Sequence, residues 1–235
     1  MPVRAAKIGQ VQQRSNVRRS NTRRSNARRS NAQRSAQTRD QLIEGAIRAL
    51  REVGFARTTT ATICAHARVT TGALHHHFAT KEELLFAVLD RLSVDVSAQL
   101  DGFFDFSFPL AATAERAVQR LWSVYGGQRY RAVWEITIGF SNERRLRAAM
   151  TRQRNQATDA LIERWCRGLV LTRGEREEIA GALRFTLIAI RGMFLDTYLD
   201  FDRRHFQQQL SILSRAVAAQ LETILGAHRR LARAA

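Results

Sequence analysis

The chain has 235 residues, two cysteines, two prolines and a net charge of +17. This length suffices for a sizeable core, and the excess of Lys and Arg favours a polyanionic partner. No apolar run reaches the length of a membrane span, the basic N-terminus lacks the apolar region of a signal peptide, and the cysteines form no disulfide or metal pattern. These features exclude a membrane-spanning or disulfide-stapled protein, and they predict an all-α protein in a reduced cytoplasm.

Residues 1–37 are basic and of low complexity. They hold ten of the 38 Lys and Arg residues and no acid, and a five-residue repeat of the type RSNVR runs from 14 to 34. Such a segment has little to bury, so disorder is predicted. Three interpretations stay open: an arm that follows phosphates or enters a minor groove, a solvated tail without a specific role, or residues upstream of the true start.

The first helix is predicted over Thr38–Val53, with Thr38 and Gln41 as a capping box and Gly54 at its end. Arg39 lies near its start and is a candidate contact to a phosphate or to the minor groove. A single surface arginine is, however, more often only solvated.

The run TTTATICAHARVTTGALHHHFATK, which begins at residue 58, predicts two short helices joined by a tight turn at 68–69. Thr59 caps the first helix and Thr70 caps the second, which spans Thr71–His77. Helical spacing buries one side of the second helix and leaves these residues outward: Thr71, Gly72, Ala73, His75 and His76.

That outward surface is small and polar, as a helix in the major groove requires, because Gly and Ala permit close approach and Thr and His supply hydrogen bonds. Thr80 and Glu83 predict a capping box for the next helix. Lys81, in its first turn, is placed to meet a phosphate.

The run VTTGALHHHFATKEEL resembles the recognition segment of the TetR family of bacterial transcriptional repressors, and the similarity is strong over residues 38–92. The family usually has Gly where Arg68 stands, Tyr where His75 stands and Pro where Ala79 stands. The resemblance implies a homodimer on a palindromic operator in double-stranded DNA, released by a small-molecule effector. We expect base contacts from Thr71, Gly72, Ala73 and His76, and phosphate contacts from Thr59, His75 and Lys81.

The helix that Thr80 caps is predicted to continue over 84–100. Five further helices are predicted at 110–125, 128–140, 143–168, 174–199 and 203–226, with Thr172 and Glu175 as another capping box. The last two are the most apolar. The resemblance assigns their stripes to a four-helix interface with a second subunit, formed by Leu183, Leu187, Phe206, Leu210, Leu213, Val217 and Leu221. The alternative is that these stripes fill the core of one subunit.

Apolar and aromatic residues of this second unit are candidates to line an effector cavity: Phe103, Trp122, Tyr125, Trp134, Ile138, Met150 and Phe194. Each one singly is more often ordinary core. Arg191 stands in the apolar run FTLIAIRGMFLDTYL and needs a partner, which is Glu135, Asp196 or an anionic ligand. A position on the wetter side of its helix or at the dimer rim is the alternative.

No enzyme is expected. Three consecutive histidines on a helix point about 100° apart, so His75, His76 and His77 cannot share one ion. No nucleophile elbow, phosphate loop or dinucleotide fingerprint appears, so no catalytic residue, metal or cofactor is predicted.

The predicted architecture is all-α, with about nine helices in a three-helix helix-turn-helix DNA-binding head and a larger ligand-binding and dimerisation domain. The predicted division is an arm (1–37), the head (38–83), the larger domain (84–228) and a tail (229–235). The expected function is a cytoplasmic, nucleoid-associated, homodimeric regulator that binds specific DNA, most simply a repressor. The alternative is a basic architectural DNA-binding protein without a ligand switch.

Overall fold

A computed structural model describes residues 31–100, 108–167, 169–198 and 202–234, without the side chains of 203 and 226–234. Within these ranges the chain forms nine helices and no strand, which confirms the predicted all-α fold. They are α1 (31–57), α2 (Thr60–Ala67), α3 (Thr71–His77), α4 (Lys81–Gln99), α5 (Leu110–Tyr125), α6 (Arg131–Gly139), α7 (Arg144–Trp165), α8 (Arg173–Asp196) and α9 (Arg203–Ala234).

Helix α1 extends beyond its predicted limits at both ends. The Thr38 hydroxyl donates to the carbonyl of Arg34 at 2.9 Å, so Thr38 lies inside the helix and is not its N-cap. The prediction of disorder is wrong for residues 31–37, where Ala, Gln and Arg favour helix and propagation from a folded helix costs little. Gly54 does adopt the left-handed conformation, with φ of 76°, three residues before α1 ends. The rest of the basic arm lies outside the described residues.

The described residues form two hydrophobic cores. One lies in the helix-turn-helix head, and the other lies in the larger domain, the body of the molecule. The head core is formed by α1, α2, α3, the first half of α4 and α6. Its α6 members are Ala132, Ile136 and Phe140, which are almost completely buried. The body core is formed mainly by α5, α8 and α9 and the end of α7. Helix α6 therefore follows α5 in sequence but packs into the head.

Ionic and hydrogen-bonding contacts also join the head to the rest of the chain. Arg129, just before α6, forms two hydrogen bonds with Glu44 of α1, at 2.6 and 2.8 Å, and a third with Asp95 of α4 at 3.0 Å. The hydrogen bond from Arg129 is the main reason why the pKa of Glu44 lies below its ordinary value. Glu135 of α6 accepts a 2.9 Å hydrogen bond from the backbone N–H of Phe55.

Helices α8 and α9 each carry an inner apolar stripe, and α8 also carries an outer one. The predicted dimer residues belong to the inner stripe and are all less than 8% exposed: Leu183, Leu187, Phe206, Leu210, Leu213, Val217 and Leu221. Packing within one chain already covers these side chains. Their contact with a second subunit stays a prediction.

The outer stripe of α8 is exposed to solvent. It includes Phe185, Ile188 and Leu195, which are 55%, 65% and 38% exposed, and Ile212 on α9 is 50% exposed. At about 100° per residue, the three α8 side chains lie within one face of the helix, opposite its buried side. Clustered exposed side chains of this size are uncommon on a monomer and indicate an interaction surface.

Candidate DNA interface and ligand cavity

The helix-turn-helix unit is fixed by side-chain caps at each helix start. The Thr59 hydroxyl accepts from the N–H of Thr62 at 3.1 Å, and the Thr70 hydroxyl accepts from the N–H of Ala73 at 3.2 Å. Arg68, at the turn, has φ of 57°. This is the left-handed conformation that favours glycine, and it costs a non-glycine residue about 1–2 kcal/mol. The turn therefore keeps its geometry without the glycine that is usual in similar sequences.

The outward surface of α3 is open to solvent. Thr71, Gly72, His75 and His76 are exposed and Ala73 is half-buried, whereas Leu74 is fixed in the core at 1% exposure. The structure thus presents the predicted side chains together on one short, capped helix. This surface has no large apolar group, and its backbone is accessible along the first turn.

Gly72 is not required by the protein's own packing. Among the described residues outside its own helix backbone and chain neighbours, a Cβ built at this position would have one atom within 4 Å, the Thr70 hydroxyl oxygen at 3.9 Å. Its φ lies outside the left-handed range. Neither a clash nor the backbone conformation explains a glycine in the first turn of this helix, where it lowers helix stability. A close approach by something outside the chain would explain it.

The two predicted cations near α3 differ in their surroundings. Arg39 is exposed, and its guanidinium lies 5.0 Å from the ring centre of Phe78, just after α3. The Lys81 ammonium lies 4.7 Å from the ring centre of Phe55, and burial lowers its pKa. Both cations therefore lie over an aromatic ring, but Arg39 is exposed to solvent whereas Lys81 is half-buried.

The histidines at the end of α3 form no metal site in the structure. His76 and His77 make an edge-to-face contact, with ring centres 5.2 Å apart. Among the residues that the structure describes, no three His, Cys, Asp or Glu side chains come together as metal ligands would. Cys64 and Cys166 are both buried and unpaired. No helix in the described ranges is long and apolar enough to cross a bilayer.

A cavity of about 130 Å³ lies between α4, α6, α7 and α8. Four of the predicted lining residues do line it: Tyr125, Trp134, Met150 and Arg191. The other predicted residues do not, and each has a different environment. Trp122 stacks on Phe206 in the body core, Ile138 is 57% exposed, Phe194 is buried behind Tyr130, and Phe103 lies outside the described residues.

Three of the residues that line the cavity each have a buried polar side-chain atom with no hydrogen-bond partner among the described residues. These atoms are Nε of Arg191, Nε1 of Trp134 and Oε1 of Gln153. Arg191 makes a long hydrogen bond of 3.4 Å to the Thr158 hydroxyl through another nitrogen, and its guanidinium lies 5.2 Å from the ring centre of Tyr125. Buried polar groups are normally paired, so these three call for a further partner.

Arg191 forms no ion pair with Glu135 or Asp196, the two carboxylates that the sequence suggested as partners. Glu135 instead contacts Phe55, Arg131 and the Tyr198 hydroxyl. No ion pair joins Arg191 to a carboxylate within the described ranges. Sequence reasoning also missed Gln153 and Thr158, because α7 is polar along its length and nothing in its pattern separates a lining residue from a solvated one.

A capped helix-turn-helix head is the DNA-reading unit of one class of transcriptional regulators. Residues 42–88 match the family model described as bacterial regulatory proteins, tetR family. Over 56 residues the chain is 52% identical to the HTH-type transcriptional regulator TtgR of Pseudomonas putida, a match that covers 24% of this chain and 27% of TtgR. The likeness to the tetR family of bacterial regulatory proteins therefore covers the helix-turn-helix head, residues 42–88.

Other relatives extend the likeness beyond the head. The nicotine-responsive transcriptional repressor HdnoR of Paenarthrobacter nicotinovorans is 28% identical over 101 residues, which covers 43% of this chain and 52% of HdnoR. The chain therefore spans about a quarter to a half of the length of these curated relatives.

Among solved structures, a TetR-family member from Streptomyces coelicolor A3 has a TM-score of 0.56 at 20% identity, covering 76% of this chain and 96% of the other. The multidrug binding protein EbrR, complexed with imidazole, has a TM-score of 0.54 at 21% identity, with coverage of 75% and 93%. At these identities the likeness concerns the fold.

Proposed function

We propose that the protein is a dimeric, sequence-specific repressor that leaves its DNA when a small molecule occupies the cavity of the body. The observation that carries DNA binding is the exposed, capped α3 with an unexplained glycine in its first turn. A recognition helix contacts base edges with its N-terminal residues, and that end of α3 is where the small and polar residues lie.

The proposed contacts divide into two kinds. Thr71, Gly72, Ala73 and His76 face the groove and read bases. Phosphates are held by the Thr59 hydroxyl and the His75 ring, both exposed, by Arg39, and by Lys81 after it leaves the Phe55 ring. Thr70 contributes mainly as the cap that fixes the helix start, since its hydroxyl is already bonded to the N–H of Ala73.

A second copy is the proposed occupant of the exposed face of α8 and α9. A two-fold dimer places two copies of α3 about 34–36 Å apart, one turn of the duplex, on a palindromic site. The outer stripe of Phe185, Ile188 and Leu195 is large and apolar, and Ile212 continues it on α9. The proposed dimer interface therefore uses this exposed surface, whereas the sequence pattern suggested the buried stripe of the same helices.

The ligand switch is supported by helices that the cavity and the head share. Leu92 of α4 belongs to the head core and also lines the cavity. On α6, Trp134 lines the cavity, Glu135 holds the backbone of Phe55, and Ile136 is buried in the head core. A ligand that binds one arrangement of α4 and α6 more tightly would therefore change the placement of α3 on DNA.

Selection of bound fragments from random DNA tests the proposed function. We expect one palindromic sequence to be enriched, and to stay bound against a large excess of unrelated duplex at physiological salt. An architectural DNA-binding protein would enrich no sequence and would lose its fragments to the competitor. The second outcome would refute sequence-specific regulation and favour the alternative function.

A further inference from the structure

The wall of the cavity is positively charged and has no acidic member. Eighteen described residues line it, and they include two arginines, Arg154 and Arg191, but no Asp or Glu. Arg154 is exposed at the rim, whereas Arg191 lies deep between α5, α6 and α7. An internal cation without a counter-charge is costly, so a site of this kind is built for an anion.

The phenol groups beside Arg191 do not neutralise it. Burial raises the pKa of Tyr130 to about 12 and also raises that of Tyr125, so both are uncharged at neutral pH. Burial opposes the charge on Arg191, but the two phenols hold its pKa above the ordinary value. The guanidinium is therefore a cation, and its Nε–H donor has no acceptor in the described part of the chain.

The other residues that line the cavity indicate the shape and the polar groups of the ligand. Tyr125, Tyr130 and Trp134 provide flat aromatic faces, and aliphatic side chains of α4 complete the apolar part. Trp134 Nε1 is a free donor and Gln153 Oε1 a free acceptor, while the amide nitrogen of Gln153 is already bound to Asp90. A volume of about 130 Å³ suits a single aromatic ring, since cavities of about 150 Å³ hold benzene.

We propose that the effector is a small aromatic carboxylic acid with a hydroxyl group, whose carboxylate pairs with Arg191 and whose hydroxyl donates to Gln153. This inference rests on the proposed effector role of the cavity and specifies its ligand. The planar guanidinium matches a carboxylate with two parallel hydrogen bonds, and Arg191 has the free Nε–H that such a pair needs. The ring lies against Trp134 and the two tyrosines.

Calorimetric titration with 4-hydroxybenzoate and its neutral counterpart 4-hydroxybenzamide tests the proposal. We expect the acid to bind about tenfold or more tightly than the amide, because a charge-assisted pair replaces a neutral one. Arg191→Met should abolish this preference. Arg184→Met is the matched control, since Arg184 is on the same helix, pairs with Asp159 at 2.8 Å and does not line the cavity.

Three results would overturn the proposal: equal or tighter binding of the amide, no binding of either compound at 10 mM (roughly 2.7 kcal/mol of affinity), or an acid preference that survives Arg191→Met. Arg191→Lys is the second variant if the Met variant does not fold. It keeps the charge and removes the planar fork, so it should retain part of the preference.

Titration of the selected DNA in the presence of each compound separates the two proposals. If the amide binds as well as the acid and releases the DNA, the proposal of an anionic effector is wrong, but the proposal that a ligand releases the DNA is supported. If the acid binds more tightly than the amide and the affinity for DNA does not change, the cavity binds an anion, but the proposal that this ligand releases the DNA is wrong.

Discussion

Gly72→Ala should stabilise the protein and weaken its binding to DNA. The added Cβ has only the Thr70 hydroxyl oxygen nearby, at 3.9 Å, which is ordinary van der Waals contact. Alanine is a better helix former than glycine by about 0.5–1 kcal/mol, and no strain opposes this gain. Nothing in the folded chain therefore accounts for the glycine, and a methyl group that hinders the approach of α3 to a base edge should reduce affinity about tenfold or more, roughly 1.4 kcal/mol.

Gly174→Ala is a close control for this change. Gly174 also occupies the second position of its helix and follows a capping threonine by two residues, and a Cβ added to it would have no atom within 4 Å. It lies at the start of α8, away from α3. Urea unfolding should show a similar gain in stability for both variants, while titration of the selected DNA should show a loss only for Gly72→Ala.

Unchanged affinity for DNA in the Gly72 variant would refute the reasoning, because the surface of α3 would then not approach a duplex closely. A loss of stability in that variant would also refute it, since the space around Gly72 would not be as open as the structure indicates.

Three further predictions concern the head contacts and the dimer. Gly139→Ala should lower the free energy of unfolding by about 1–3 kcal/mol in urea, because its Cβ would clash with the ring of Phe55. Glu44→Gln should cost about 1 kcal/mol at pH 7 by weakening the contact with Arg129. Because the folded pKa of Glu44 is lowered, its contribution is complete above the ordinary pKa of 4.5 and is lost as pH falls through the folded value. Ile188→Glu should convert the dimer to monomers in sedimentation without unfolding them.

Each of these predictions has its own contrary result. A Gly139→Ala protein as stable as the parent would mean that α6 can move away from Phe55 at little cost. A difference between Glu44→Gln and parent that stays constant from pH 7 to pH 3 would show that ionisation of Glu44 is irrelevant. For the dimer, Ile138→Glu is the control, because Ile138 is similarly exposed, at 57%, but lies on α6. Loss of the dimer in both variants, or in neither, would contradict the assignment to α8 and α9.

Local signals in the sequence predicted the head in detail. The hydroxyls of Thr59, Thr70 and Thr80 each accept from the expected backbone N–H, and Thr172 and Glu175 form a complete capping box. Such caps depend on residues three positions apart, so the sequence contains most of the information that they need. The exception is Thr38, which has the same pattern with Gln41 but lies inside α1. At Thr80 the box is only half formed, because Glu83 accepts from Ala79, one residue before the cap.

Local sequence patterns did not predict the features that depend on packing between distant helices. Helix α8 has two apolar stripes, and periodicity alone does not say which one meets the core. The stripe with Leu187 packs into the core, and the stripe with Ile188 is exposed. The cavity was predictable only where a residue was unusual in its context, as Arg191 is within an apolar run. Gln153 and Thr158 become distinctive only once α7 is packed against its neighbours.

The packing of α6 among α1 and α4 has a practical consequence for protein engineering. A fragment cut after α4 would lack Phe140, whose ring packs against Phe86, and the Glu135 carboxylate that accepts from the backbone N–H of Phe55. A chimera that takes the helix-turn-helix head from this chain should therefore include residues 129–140 as well as α1 to α4. These two segments are separate in the sequence but pack into one core.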